Sequence, residues 1–237
     1  MLEAGGEATY KTALDADSAY TTLHVSVGAG GTSGIAPSTA EPKRGYLRAQ
    51  GSIVAVRPIV GTASQVHLRI YGGVAENAPR QRAIYASTQD PFETFTNDLF
   101  RSKGAVFKRP GVNYLPLGGA GLRGYGINVP LDRVAAVNGE FLQRLFTTKG
   151  VWGDGTLSFS IFGDVSLATS KLLGLQTDPL NDAGAGLVAK GTLYDRAYYV
   201  RLDAPVFANR SGLAGGRGLG GGGSIAPRWT ITVGNIW

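Results

Sequence analysis

Strict alternation of apolar and polar residues is the feature that most constrains the fold of this chain. In TLSFSIFGDVSLA (156–168) the odd positions are mostly apolar, whereas the even positions are mostly serine, threonine or aspartate. The same period recurs in TTLHVSVGA (21–29), VHLRIYGGV (66–74), AYYVRLDAPVF (197–207) and RWTITVGNIW (228–237). A period of two gives a β-strand one apolar and one polar face. The alternation therefore predicts an all-β protein.

The number and length of the strands indicate a barrel. Adding segments 5–14, 46–56, 133–146 and 182–191 gives about nine strands, several about ten residues long, joined by tight turns and long loops. An antiparallel transmembrane β-barrel requires such strands, and it must close because lipid cannot hydrogen-bond the backbone. A soluble sandwich or barrel is the alternative, since exchanging inside and outside preserves the alternation. Aromatic residues near strand ends, where headgroup girdles lie, favour the membrane: Tyr20, Tyr46, Trp152, Tyr194, Trp229 and Trp237.

Composition excludes several other classes of protein. The absence of cysteine rules out disulfide scaffolds and thiolate metal sites. The net charge of +6 is spread among loops and strands, so we predict no nucleic-acid partner. No apolar run approaches the roughly 18 residues of a membrane-spanning helix. The opening MLEAGGEATY has no basic start and no apolar run, so we expect the natural chain to begin further upstream.

The sequence carries no convincing signal for a cofactor or for catalysis. LGGAGLRGYG (117–126) contains GxGxxG, but proline-broken flanks replace the strand and helix that a dinucleotide site needs. His24 and His67 fall on different predicted strands, and no nucleophile or metalloprotease motif accompanies them. Asp178 and Asp182 fall in a turn-like segment and are interpreted as turn formers. We therefore predict no enzyme activity, no cofactor and no metal site.

Two long loops interrupt the predicted strands of a single barrel domain, residues 1–237. Residues 77–130 contain one helical signal, DPFETFTNDLF (90–100), in which Asp90 can cap the helix and Pro91 suits its first position. A loop of this length with its own secondary structure is usually functional or disordered. The second loop, residues 208–226, is rich in glycine.

Four motifs in a fixed order resemble a known family. YLPLGGAGLRGYG, NGEFLQRLF, SIFGDVSLA and a chain ending in WTITVGNIW are similar to the C-terminal half of the BamA, TamA and FhaC superfamily of outer-membrane barrels, the bacterial surface antigen family. The resemblance covers most of the chain from Arg44 to Trp237. It implies a bacterial outer-membrane location and about half of a barrel of sixteen strands. It also implies a C-terminal strand signal made of Trp229, Ile231, Val233 and Trp237.

The resemblance further implies a loop that folds into the barrel. In that family the arginine of the RGY motif lies at the tip of a long extracellular loop and meets acidic side chains of the next two strands. Matched by motif, this loop lock comprises Arg123, Gly124, Tyr125, Glu140 and Asp164. The alternation independently places Glu140 on one face with Asn138 and Arg144, and Asp164 on the serine face of its own strand. Gly118, Gly119, Gly121 and Gly124 would let the loop bend; the alternative is a solvated Arg123 on a mobile loop.

Three hypotheses for function follow. The first is an outer-membrane barrel that helps polypeptides insert into or cross the membrane, with lipids and unfolded or translocating polypeptides as partners. The second is a membrane anchor or exporter fused to an upstream soluble enzyme such as a peptidase or lipase. The third is a soluble β-barrel binding module. In the membrane cases the edges of an incomplete barrel need upstream strands or a second copy of the chain.

Overall fold

The computed structural model is antiparallel β-structure in the parts of the chain that it describes. No helix among those residues is long and apolar enough to cross a membrane. The helical signal at residues 90–100 and most of the glycine-rich loop lie outside them. The described residues are 2–13, 20–31, 45–60, 62–78, 83–87, 119–126, 129–150, 153–193, 196–210, 213 and 228–233.

Nine strands form one sheet, and two very short strands form another. The main sheet has the order β1-β2-β3-β4-β7-β8-β9-β10-β11, with β5 and β6 paired separately. All neighbours are antiparallel. The strands are β1 (Leu2–Ala13), β2 (Tyr20–Gly31), β3 (Gly45–Pro58), β4 (Ser64–Glu76), β5 (Ile84–Tyr85), β6 (Pro130–Leu131), β7 (Arg133–Gly150), β8 (Gly153–Ser170), β9 (Leu175–Leu193), β10 (Arg196–Ala208) and β11 (Arg228–Val233).

The nine predicted strands correspond one to one to the strands of the main sheet. Several are longer than expected, because β7 and β8 have 18 residues each and β9 has 19. Short connections at residues 14–19, 59–63, 151–152 and 194–195 share one end of the sheet. At the other end lie the longer connections 32–44, 77–132 and 209–227, together with the short turn 171–174. Long and short connections therefore separate by end, with that one exception.

The main sheet is open within the described chain. β1 and β11 are its two edges, and no pairing joins them. The described strands thus form an open antiparallel sheet, and they form no closed barrel by themselves. Each edge strand has one neighbour in this sheet, so one side of its backbone has no strand partner among the described residues.

The sheet curls towards one face, which we call the concave face. Arg201 of β10 forms a salt bridge with Glu140 of β7, although β8 and β9 lie between them. In a flat sheet three strand spacings of about 4.8 Å would separate the two backbones by about 14 Å. Curvature shortens that span and brings polar side chains of distant strands together.

The polar face of the sheet is buried and the apolar face is exposed. In β8, Ile161 and Val165 are 53% and 52% exposed, whereas Ser160 and Asp164 are fully buried. The same alternation holds in β4, where Ile70 is exposed and Tyr71 is buried. This arrangement is the reverse of a soluble β-protein, whose apolar face forms the core.

One predicted girdle residue points the other way. Tyr46 is 4% exposed and shares the buried face of β3 with Arg48, so it is not part of an outward-facing aromatic girdle. Its position near the strand end suggested a girdle, but the pleat places even-numbered residues of β3 on the concave face. The side chains of the other five predicted girdle residues lie outside the described part of the chain.

The apolar core is formed by the loop and by the strand ends beneath it. Leu122 and Tyr125 of the loop are completely buried against residues of the strands. The core lies at the end of the sheet where the connection 77–132 leaves β4 and returns to β7. It packs together Tyr71, Ala75, Ile84, Ala86, Ala120, Leu122, Tyr125, Val129, Leu131, Val134, Ala136, Ala168, Leu175 and Leu180.

Candidate functional site

The tip of the long loop folds into the concave face as a tight turn. The Tyr125 amide donates to the Leu122 carbonyl at 3.2 Å, which leaves Arg123 and Gly124 at the centre of the turn. Gly119 and Gly121 precede it with φ of 54° and 75°, a left-handed backbone that favours glycine. Gly118, the remaining predicted loop glycine, lies outside the described residues.

Two glycines allow the tip to touch the sheet. A Cβ on Gly121 would lie 2.8 Å from Nη1 of Arg69, and one on Gly124 would lie 2.7 Å from Cβ of Asp182. Gly124 has no left-handed backbone, so its requirement is close approach alone. A side chain at Gly124 would press on the base of Asp182, whereas one at Gly121 would displace the ends of Arg69 and Asn138 and strain the left-handed backbone.

The Arg123 guanidinium binds carboxylates of β7 and β8. Its Nε and Nη2 donate to Oδ2 and Oδ1 of Asp164 at 3.1 and 3.3 Å, and its Nη1 donates to Oε1 of Glu140 at 3.2 Å. The Arg123 backbone amide also donates to Asp164, at 3.3 Å. Arg123 is 4% exposed, and its guanidinium carbon lies 4.1 Å from the centre of the Phe162 ring. The structure thus brings the three charged residues of the predicted lock together in a desolvated setting.

Glu140 is shared between two arginines. Nη1 of Arg201 donates to Oε2 of Glu140 at 3.2 Å, and the Nε of Arg201 donates to Asp203 at 2.7 Å. The alternation placed Arg201 and Asp203 on a polar face. It carried no sign that Arg201 reaches across two strands, because that contact depends on the curl of the sheet.

Side chains of β4 and β7 also donate hydrogen bonds to backbone carbonyls of the loop. Nη2 of Arg69 donates to the Gly119 carbonyl at 2.8 Å, and Nδ2 of Asn138 donates to the Ala120 carbonyl at 3.1 Å. Asn138 also donates to Oδ1 of Asp164 at 3.1 Å, and Arg69 donates to Oδ1 of Asn138 at 3.2 Å. Buried carbonyls of the loop therefore find donors on β4 and β7, as buried polar groups require.

Asp182 lies on the concave face without a matching donor. It is directly opposite Asp164 in the pairing of β8 with β9, and it is 3% exposed. Neither of its carboxylate oxygens has a hydrogen-bond partner in the described structure. The prediction that Asp178 and Asp182 form a turn is wrong, because the turn between β8 and β9 occurs at residues 171–174 and both aspartates lie within β9. Two carboxyl groups paired in this way do not both ionise readily.

Tyr125 ties the tip to the ends of β9 and β10. Its hydroxyl donates to Oδ1 of Asn209 at 2.5 Å and lies 3.2 Å from the Asn181 carbonyl oxygen. The backbone amide of Asn181 donates to the same Oδ1 of Asn209 at 2.9 Å. The Nδ2 of Asn209 donates to the Pro179 carbonyl at 2.9 Å. Burial raises the pKa of Tyr125 to about 12.

Other predicted residues lie apart from this cluster. Trp229, Ile231 and Val233 lie in β11, paired through the backbone with Leu202, Val200 and Tyr198; their side chains and Trp237 are outside the described part. Arg144, predicted to share a face with Glu140, is exposed beside a β-bulge. No group of three or more His, Cys, Asp or Glu residues that could hold a metal ion occurs in the described ranges.

No family model, curated protein or solved structure matches this chain. The resemblance to the BamA, TamA and FhaC superfamily therefore rests on the order of its motifs. The geometry by itself offers one chemical capability. It holds a loop against the concave face of a sheet through charge-assisted hydrogen bonds, which are stronger than neutral ones.

Replacing the arginine should release the tip. Breaking a buried ion pair from one side costs about 3–5 kcal/mol, against about 0–1 kcal/mol for an exposed pair. We expect Arg123→Gln and Asp164→Asn each to lower the free energy of unfolding by about 3 kcal/mol and to speed proteinase K cleavage within residues 77–130. Both are measured in detergent solution.

Asp182→Asn is the matched control, because it removes a neighbouring carboxylate that has no hydrogen-bond partner in the described structure. It should leave cleavage unchanged, since asparagine keeps the size and shape of the Asp182 side chain and the contacts of Asp164 with Arg123 remain. Two results would contradict this account of the tip. One is an Arg123→Gln protein that is cleaved at the wild-type rate, and the other is an equal loss of stability in Asp164→Asn and Asp182→Asn.

The raised pKa of Tyr125 predicts how the attachment of the loop tip to the sheet depends on pH. Burial raises the pKa of Tyr125 from its usual 10.0 to about 12, so the folded state holds this proton more tightly than the unfolded state. Its stabilising contribution is complete below pH 10 and is lost as the pH rises to about 12. Proteolytic protection of the tip should fall in this window. Tyr125→Phe should lack that step, and superimposable profiles for the two proteins would show that Tyr125 is not responsible.

Proposed function

We propose that this chain is part of an outer-membrane β-barrel of the BamA, TamA and FhaC superfamily, and that it helps polypeptides insert into or cross the bacterial outer membrane. The observation that carries the proposal is the contact of Arg123 with both Glu140 and Asp164. The resemblance implies this contact between an RGY loop tip and the two following strands. A solvated arginine, the alternative, would not be buried against two carboxylates.

The exposed apolar face supports lipid as a partner. Large apolar side chains on the outward face of β8 and its neighbours are about half exposed. A soluble monomer seldom exposes a contiguous apolar patch beyond a few hundred Å², and each Å² removed from water contributes about 25 cal/mol. Members of this face are Leu47, Ile53, Val66, Leu68, Ile70, Val137, Phe141, Phe159, Ile161, Val165, Leu167, Leu187 and Leu202.

The connections and the edges support the same proposal. Outer-membrane barrels have short turns at the periplasmic end and longer loops at the extracellular end. The connections 59–63 and 151–152 would then be periplasmic, and the loop carrying Arg123 would be extracellular. Unpaired edges at β1 and β11 are expensive in hydrocarbon. Strands upstream of residue 1, or a second copy of the chain, would complete the barrel.

In this proposal the loop lock controls how much of the concave face is open to a polypeptide. A concave face lined by serine, aspartate, glutamate and arginine offers a wet surface to an unfolded polypeptide, and the inserted tip occupies part of it. The ion pairs place the tip reproducibly, and its release would change the space available. This role needs positioning and no catalytic group, so it requires no cofactor.

Reconstitution tests the proposal. The full chain should enter phospholipid vesicles from detergent, and there it should accelerate insertion of a urea-unfolded, eight-stranded outer-membrane barrel several-fold over empty vesicles. Asp164→Asn should lose most of this acceleration, whereas Asp182→Asn should retain it. Insertion is followed by the protease resistance of the folded probe.

Two results would contradict different parts of the proposal. A chain that remains monodisperse in buffer without detergent and does not associate with vesicles would exclude the membrane barrel. A chain that enters vesicles as β-structure but leaves the insertion rate at that of empty vesicles would exclude the assembly function alone.

A further inference from the structure

A second polar site lies on the concave face at the end with the short connections. It is a cavity of about 330 Å³, walled on one side by the β3–β4 turn and on the other by β7, β8 and β9. The loop tip approaches from the end with the long connections, so the two sites are separate. Residues that give the cavity its chemistry are Thr62, Gln65, Arg144, Thr156, Ser158 and Lys190.

The strand register places two cations on either side of a pair of hydroxyls. Arg144 of β7 is opposite Ser158 of β8, and Lys190 of β9 is opposite Thr156 of β8. A β-bulge between Arg144 and Phe146 interrupts the pairing there. Bulges re-aim side chains and are common beside functional sites. The Arg144 amide donates to the Ala63 carbonyl at 3.0 Å, which fixes the bulge against the β3–β4 turn.

The charges of the cavity are not neutralised by its own wall. None of its described lining residues is a carboxylate. Arg144 and Lys190 form no hydrogen bond or salt bridge with any described side chain, in contrast to Arg123 and Arg201, which are held by carboxylates. Two cations lining one concave space repel each other, and an anion between them removes that repulsion.

We propose that this cavity binds a phosphate group. The planar guanidinium of Arg144 can grip two phosphate oxygens, the Lys190 ammonium supplies a point charge, and the Thr156 and Ser158 hydroxyls can donate to the remaining oxygens. Phosphate carries about −1.5 to −2 charges at pH 7 in its monoester form, so it matches two cations better than a single carboxylate does. Free phosphate and the monoester headgroup of phosphatidic acid share this chemistry.

Calorimetric titration tests the site on the full chain in a non-ionic detergent. Inorganic phosphate should bind, and Arg144→Gln or Lys190→Gln should weaken its affinity about tenfold, as loss of a charge-assisted hydrogen bond implies. Binding should also weaken with added sodium chloride. The matched controls, Arg210→Gln and Lys171→Gln, remove the same charge elsewhere, where Arg210 contacts Asp178 and Lys171 contacts Glu76. They should bind phosphate as the wild type does.

A second titration identifies the source of the phosphate. Short-chain phosphatidic acid that binds more tightly than inorganic phosphate, and is displaced by it, would assign the site to a lipid headgroup. Tighter binding of inorganic phosphate would assign it to the free anion. No binding of either probe, or equal weakening in the cavity variants and the controls, would overturn the proposal.

Discussion

The contact of the Arg123 guanidinium with Asp164 and Glu140 is the interaction on which the organisation of the concave face depends. Asp164 is completely buried, and the Arg123 guanidinium and the side-chain amide of Asn138 donate hydrogen bonds to it. A buried carboxylate without its cation is strongly destabilising. The loop tip therefore contributes to the stability of the sheet. The glycines around the tip are needed for it to approach the strands.

This polar interior determines what the other face can be. The pleat sends neighbouring residues of each strand to opposite sides, so a strand that buries Ser160 and Asp164 must expose Ile161 and Val165. Within the described residues, a single sheet that turns its polar side chains inward has no second layer in which to bury its apolar side chains. Lipid, the partner that we propose, would accommodate such a face without hydrogen bonds.

Alternation predicted the nine main strands, and it placed Glu140 and Asp164 on the face where the structure has them. It failed where a pattern is too short or where contacts span strands. β5 and β6 have two residues each, too few for a period, and the contact of Arg201 with Glu140 requires a curl that no local pattern encodes. Composition misled at Asp182, since its Asp, Asn and Pro neighbours indicate a turn, whereas pairing with β8 extends the strand through them.

In the proposed membrane barrel, the apolar face of the sheet contacts lipid while the polar face surrounds the loop tip. The chain has no cysteine, so single cysteines can be introduced along β8 without background. In vesicles, a bimane fluorophore attached to a cysteine at an odd position such as 159, 161 or 165 should be quenched strongly by brominated lipid chains, whereas one at 158, 160 or 166 should be quenched weakly. Equal quenching at odd and even positions, or stronger quenching at the even ones, would contradict the account.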